Sequence, residues 1–238
     1  QELRRQWSQD IAHDLRTPIS ALKAQFEGMR DGVLDVSPSR IERNIREISR
    51  IEQLVADLEE LMRLESPEMK LSMTEIWAQG FLDEMRERFS HEIERKNISF
   101  EGRSAVSSFT ADEGLIHRAV ANFISNAVRH TNRNGRITAS IESLNYIESP
   151  PSTKSLAAKD GEHSIVIRVS NTGEPIPEHE RERVFDRLFR GEYSRNTPGS
   201  GLGLTIAGRI AELHGGTVTI KSQEKPGTTV EMVIPMQL

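Results

Sequence analysis

Cysteine is absent from the 238 residues, which excludes disulfides, thiolate nucleophiles and cysteine-held metal sites. An excess of basic charge is also missing. Lys and Arg total 31 against 36 Asp and Glu, a formal net charge of −5, so no broad basic surface is implied and nucleic acid is not an expected partner. No apolar run is long enough to cross a bilayer, and no signal peptide is visible. The seven histidines do not cluster as metal ligands. What remains is 36% hydrophobic and 28% charged, a balance that suits one or two soluble domains with their own cores. The chain opens inside a charged helical pattern, Gln1-Glu2-Leu3-Arg4-Arg5, as an excised soluble piece of a longer protein would.

Two halves differ in texture. Up to Glu65 the pattern is purely helical. Trp7, Ile11, Leu15, Pro18, Leu22, Phe26 and Met29 recur at steps of three and four. Asp31-Gly32 interrupts them, and Ser37-Pro38-Ser39 restarts a helix with capping residues. Ile41, Ile45, Ile48, Ile51, Val55, Leu58 and Met62 follow, with a mean step near the coiled-coil value of about 3.5. Such a hairpin leaves its apolar stripe half exposed. A second copy would cover it as a dimeric four-helix bundle. Packing on the rest of the same chain is the alternative, and the long seam favours the dimer. Ser66-Pro67-Glu68 reads as a short linker.

Beyond the linker, helices and alternating strands mix. Helix is expected over residues 81–96 and 112–130, and from the glycine-rich stretch near 200 to Leu213. Strands are expected over 98–100, 107–110, 136–142, 164–170, 217–221 and 228–234. Their order predicts an α+β two-layer sandwich, one mixed sheet with helices on one face. Ser149 to Gly161 reads as an extended, mobile hairpin loop.

On the first helix His13 points away from the apolar stripe, at about 100° per residue. Asp14 adjoins it, and Thr17 lies one turn on, on the same face. Pro18 costs the helix a hydrogen bond there, and a kink would loosen the histidine's surroundings. These residues alone leave open that His13 is merely solvated. The surrounding stretch, Ser8-Gln9-Asp10-Ile11-Ala12-His13-Asp14-Leu15-Arg16-Thr17-Pro18-Ile19, resembles the H box of sensor histidine kinases. The resemblance implies that His13 accepts a phosphoryl group, that Asp14 is its general base, and that Thr17 serves a reverse phosphatase reaction. Neutral imidazole is a competent nucleophile near neutral pH, and a neighbouring carboxylate can orient it and take its proton.

In the helix from Asp112, apolar pairs from Leu115/Ile116 to Ala127/Val128 form a buried face. Asn122, Asn126 and Arg129 share the opposite stripe, with His130 beside them. Asparagine is a poor helix-interior residue, so two of them one turn apart call for a reason. One reason is an ordinary wet face; another is two amide oxygens converging on a phosphate-bound Mg²⁺. The stretch Asn122 to His130 resembles the N box of the same family, which implies metal contacts from Asn122 and Asn126, and phosphate contacts from Arg129 and His130. Arg129 takes the usual lysine position and keeps its charge. Arg118 stands where many members carry Gln or Glu.

Val169-Ser170-Asn171-Thr172-Gly173-Glu174-Pro175-Ile176 is similar to the first glycine box, with Asn171 where the family has Asp. An amide oxygen also accepts a hydrogen bond from an adenine amino group, so Asn171, Gly173 and Ile176 are expected at the base. Glu174-Pro175 stiffens a stretch where glycine is common. Phe185 to Arg190 resembles the F box at the root of a lid. Gly199-Ser200-Gly201-Leu202-Gly203-Leu204 resembles the second glycine box, where bare amides at a helix N-terminus suit phosphate. Thr228 matches a residue near the adenine.

The resemblance spans essentially the whole chain, with its motifs in the family's order. It implies a dimerisation and histidine phosphotransfer domain over 1–66 and a catalytic domain over 71–238 of the gyrase, heat-shock, kinase and mismatch-repair ATPase type. The implied activity is ATP- and Mg²⁺-dependent histidine autophosphorylation, followed by transfer to an aspartate of a response regulator. The implied setting is the cytoplasmic portion of a bacterial inner-membrane protein, anchored by upstream segments. A nucleotide-binding or interaction module without kinase activity, and an ATPase without a histidine acceptor, are the alternatives.

Overall fold

The computed structural model describes residues 2–145, 163–187, 189, 191, 200–221 and 227–236, the side chains of 2–14 and 145 excepted. The loop expected over 149–161 lies outside them. The chain divides into two compact units, Gln1–Glu59 and a second built from Glu60–Arg195 and Gly201–Leu238, with Ser200 counted in the first.

The first unit is helical. α1 spans Glu2–Arg30 and continues through Pro18. α2 spans Pro38–Leu64, its last turn counting with the second unit. Gly32 makes the turn at φ +70°, a conformation glycine adopts without steric cost. The Ser37 carbonyl accepts from the amides of Arg40 and Ile41, and Pro38 fills the first helical position, where its missing N–H costs nothing. The apolar seam stays open in the single chain: Ile45 is 55% and Phe26 48% exposed, and Ile19, Ile41, Ile48 and Val55 are exposed too.

The second unit carries two sheets. β1 (Met73–Trp77) pairs antiparallel with β3 (Ser108–Asp112). The main sheet combines β2 (Ser99–Ser104), β4 (Arg136–Asn145), β5 (His163–Asn171), β6 (Thr217–Lys221) and β7 (Thr228–Pro235) in the order β2-β4-β5-β7-β6. β2 runs parallel to β4; the other pairs are antiparallel. One face presents Ile137, Ala139, Ile141, Ile167, Val169 and Met232, all buried, beneath α5 (Glu113–His130) and α6 (Gly203–Leu213). The opposite face is polar, with Arg168 bridging Glu142 and Glu231 at 2.6 Å each. This is the expected two-layer sandwich.

Two local features differ from the sequence reading. β1 was not expected, because Ile76 is its one buried residue and so gives no periodic signal; its pairing with β3 makes it a strand. The helix expected over 81–96 is two, α3 (Ala78–Arg88) and α4 (Ser90–Lys96), separated where Phe89 leaves helical geometry at φ −104°, ψ 11°.

His214 joins the start of α5 to the end of α6. Its Nε2 accepts from the Asp112 amide at 3.0 Å, and its Nδ1 lies 2.8 Å from the Ile210 carbonyl. The pair of contacts requires the neutral tautomer with the proton on Nδ1. Asp112 in turn caps α5, accepting from the Leu115 amide at 3.1 Å. The start of α5 is thereby set against the end of α6.

Candidate nucleotide site

Four of the expected residues lie on α5. Its apolar face, including Ile116, Val120, Phe123 and Ile124, is fully buried, which leaves Asn122, Asn126, Arg129 and His130 half-buried on the other side. Asn122 Nδ2 donates to the Gly203 carbonyl at 3.0 Å, so the first residue of α6 sits directly against the asparagine. A β-carbon on Gly203 would come within 3.3 Å of that side chain. Two separate motifs are joined by this one hydrogen bond.

The N-terminus of α6 has no side-chain cap, and the amides of its first turn have no intrahelical acceptors. Gly201 precedes it at φ +77°. Leu202 is buried, and its carbonyl accepts from the Ile206 amide at 2.8 Å. Leu204 is half-buried. Thr205, which the sequence reading missed, donates through Oγ1 to the Phe185 and Asp186 carbonyls at 3.0 and 3.3 Å. The signal was a hydroxyl just after the glycine-rich stretch, where helix-start hydroxyls often take up backbone groups. Phe185 ends a short 3₁₀ turn, Arg183–Phe185. Ser200, counted with the helical unit, donates to Asp57 Oδ2 at 2.5 Å. Arg190 and Gly199 lie outside the described residues.

At the end of β5, Asn171 pairs with Thr228 at the start of β7, so these two expected base contacts are brought together. Asn171 is 7% exposed, and its Nδ2 is buried with no hydrogen-bond partner. An orphaned buried donor is costly in the free protein and suits a ligand acceptor. Gly173 follows, bridged to Thr131 just beyond α5. A β-carbon there would lie 2.2 Å from the His130 carbonyl and 3.0 Å from Asn171 Nδ2, so only glycine allows this approach. Ile176 is half-buried, and its carbonyl accepts from Arg181 Nε at 3.3 Å.

The electrostatics favour an anion at the end of α5. Among the described residues Arg129 has no carboxylate partner; its Nη1 reaches Asn126 Oδ1 at a long 3.4 Å. Burial lowers the Arg129 pKa, and burial, Arg129 and Lys96 together lower that of His130. His130 is therefore neutral at neutral pH, with one ring N–H to donate. Arg118 is placed differently. It forms a 2.6 Å ion pair with Glu60 in the last turn of α2, which gives this departure from the family pattern a structural role. No group of three or more His, Asp or Glu suited to a metal occurs among the described residues. Asn122 and Asn126 fit Mg²⁺ in another way: two neutral amide oxygens suit an ion that arrives already bound to phosphate.

Asn171 yields a direct test. Replacing it with Ala removes both amide groups and should weaken ATP binding roughly a few-fold to tenfold, the value of one hydrogen bond of about 0.5–1.5 kcal/mol. Asp retains an acceptor and should be tolerated. Titration calorimetry checks both variants, and parent-like affinity in Asn171→Ala would place base recognition elsewhere.

On α1, His13, Asp14 and Thr17 fall within one helical stretch. Thr17 is exposed, whereas the side chains of His13 and Asp14 lie outside the described ones.

Comparison with known proteins identifies the two domains. Residues 111–238 match the model of the histidine kinase-, DNA gyrase B- and HSP90-like ATPases, and residues 3–67 match the His Kinase A (phospho-acceptor) domain. The sensor-like histidine kinase SenX3 of Mycobacterium tuberculosis is 29% identical over 98% of this chain and 54% of its own length. The sensor protein CzcS of Cupriavidus metallidurans is 32% identical over 91% of this chain and 42% of its own. The chain thus spans about half the length of these relatives. Among solved structures, the histidine kinase ThkA in complex with the response regulator protein TrrA superposes with a TM-score of 0.73 at 25% identity, covering 98% of this chain and 61% of that one. A His Kinase A (phospho-acceptor) domain followed by an ATPase sandwich, in that order and over nearly the whole length, makes this chain a member of the histidine kinase-, gyrase- and HSP90-like ATPase family.

Proposed function

We propose that this chain binds ATP between α5, the end of β5 and the start of α6, phosphorylates His13, and passes the phosphoryl group to an aspartate of a response regulator. The observation that carries the reading is the occurrence of both family models in one chain, the phospho-acceptor over 3–67 and the ATPase over 111–238. Asn171 and Thr228 would hold the base. Arg129, His130 and the bare amides at Gly203 and Leu204 would take the phosphates. Phosphoryl transfer rests on positioning and charge neutralisation. The His13 imidazole attacks the γ-phosphorus, its proton passes to Asp14, and ADP leaves. Mg²⁺, held by Asn126 and Asn122, would neutralise charge on the phosphate oxygens when bound.

The partner reading rests on ThkA, which was solved with a response regulator protein. The exposed seam around Phe26, Ile41, Ile45 and Ile48 supports a homodimer through the helical hairpin. Upstream membrane segments would anchor the chain; no described helix is long and apolar enough to cross a membrane.

Incubation with γ-labelled ATP tests the activity. Label that resists alkali and is lost in acid is phosphohistidine; absence of label overturns the reading. A second experiment separates the two opposing reactions. Asp14→Asn keeps the shape and loses the base, so it should cut autophosphorylation sharply. Thr17→Ala should reduce dephosphorylation of the regulator and leave autophosphorylation largely intact. Parallel loss of both reactions in Thr17→Ala would mean that Thr17 mainly supports the helix beside Pro18.

A further inference from the structure

Lys96, the last residue of α4, belongs to none of the motifs. Its Nζ donates to the carbonyls of Val128 at 2.7 Å, Arg129 at 2.9 Å and Thr131 at 2.9 Å. All three ammonium hydrogens are thereby committed to backbone, so Lys96 has no donor left for a ligand. The one carbonyl it skips, that of His130, faces Gly173. Three of the four carbonyls from 128 to 131 are thus held by one lysine, and the fourth lies against Gly173.

The grip is reinforced on both sides. The Lys96 carbonyl accepts from the Asn134 amide at 3.0 Å, Asn97 Nδ2 donates to Asn134 Oδ1 at 2.7 Å, and Arg133 donates to the Arg95 carbonyl at 3.0 Å. Asn97 supports this by adopting φ +52°, a conformation asparagine tolerates. Thr131 Oγ1 donates to the Ala127 carbonyl at 2.6 Å. Helix ends ordinarily fray, because their last carbonyls lack partners. This one is held by a cation at the negative end of the helix dipole.

The arrangement is electrostatically costly. Burial, Arg95 and Arg129 all pull the Lys96 pKa down, and among the described residues neither Lys96 nor Arg129 has a carboxylate partner. A partly buried ammonium near an arginine is stabilised when carbonyls and an incoming anion offset the repulsion.

We propose that Lys96 is a positioning residue of the nucleotide site, which fixes the backbone around Arg129 and His130 so that both side chains meet the phosphate tail, and which itself never touches the nucleotide. This rests on the proposed phosphate role of Arg129 and His130. Its action is confined to the phosphate end, because the base contacts Asn171 and Thr228 lie on strands that Lys96 does not bond.

The test compares two ligands on the full 238-residue chain, a non-hydrolysable ATP analogue by calorimetry and adenosine by NMR titration. Lys96→Met keeps the aliphatic stem and removes the donors. It should weaken the ATP analogue about tenfold or more and leave adenosine within about twofold. The KM for ATP should rise more than kcat falls. Lys96→Arg, which restores charge and donors, should recover most of the loss. Equal weakening of both ligands, or parent-like binding of both, overturns the proposal. If Lys96→Met does not fold by circular dichroism, Lys96→Gln, which keeps a shorter donor, is judged by the same ratio. A parent chain that fails to bind the ATP analogue would overturn the nucleotide reading itself. A parent that binds it, with Lys96→Met showing no selective loss, overturns the Lys96 inference alone.

Discussion

His13→Ala is expected to abolish covalent labelling from ATP while nucleotide binding persists at the parent level. The size of the effect follows from chemistry. Alanine has no nucleophile, and the neighbouring groups are poor substitutes for imidazole: Asp14 would give an acyl phosphate, and the Thr17 hydroxyl is intrinsically a weak nucleophile. The separation of labelling from binding follows from the fold, because His13 lies on α1 and the proposed nucleotide contacts are carried by α5, β5 and α6. The measurement is acid-labile phosphate on the protein beside calorimetric ATP affinity. Phosphate retained at parent level in the variant would show that another residue is the acceptor. Loss of ATP affinity together with labelling would show that the substitution acts through folding.

Gly173→Ala should have the second-largest effect, a loss of nucleotide affinity well beyond the few-fold to tenfold range expected for Asn171→Ala. The added β-carbon would stand 2.2 Å from the His130 carbonyl carbon's oxygen and 3.0 Å from Asn171 Nδ2. Both neighbours are held in place, His130 by the backbone bonds of Lys96 on either side and Asn171 by the ladder to β7. The clash is therefore resolved only by parting the end of β5 from the end of α5. That movement would separate the proposed base contacts from the proposed phosphate contacts. Gly208→Ala is the control. It lies within α6 with nothing within 4 Å of its would-be β-carbon, and alanine in a helix interior is favoured by about 0.5–1 kcal/mol. Gly208→Ala should keep affinity and raise the melting temperature slightly. Unchanged affinity in Gly173→Ala would show that this contact does not shape the site.

Much of the chemistry was legible along the chain. The step of three and four that marks α1 and α2 needs only local order, since a helix is written by residues a turn apart. The same holds for α5, whose paired apolar positions identify its buried face and place Asn122, Asn126 and Arg129 opposite. The motifs proposed for phosphate and base contact were read as contiguous words. β1 was not legible, since one buried residue in five carries no period. Lys96 was not legible either: a lysine at a helix end reads as solvated, and nothing near it in sequence announces three carbonyls more than thirty positions away.

By itself, then, the sequence determined most of the elements, β1 and the break between α3 and α4 excepted, together with the histidine motif, the asparagine stripe and the glycine boxes, because each is a pattern among near neighbours. Tertiary structure alone decided that Asn122 meets Gly203, that Asn171 faces Thr228 across the β5–β7 ladder with its amide nitrogen unpartnered, and that Gly173 lies against His130. It also decided that Arg118 serves Glu60 and that Lys96 holds the end of α5. Each of these joins residues far apart in the chain, and such contacts depend on how the packed helices and the strand register bring backbone atoms within hydrogen-bond reach.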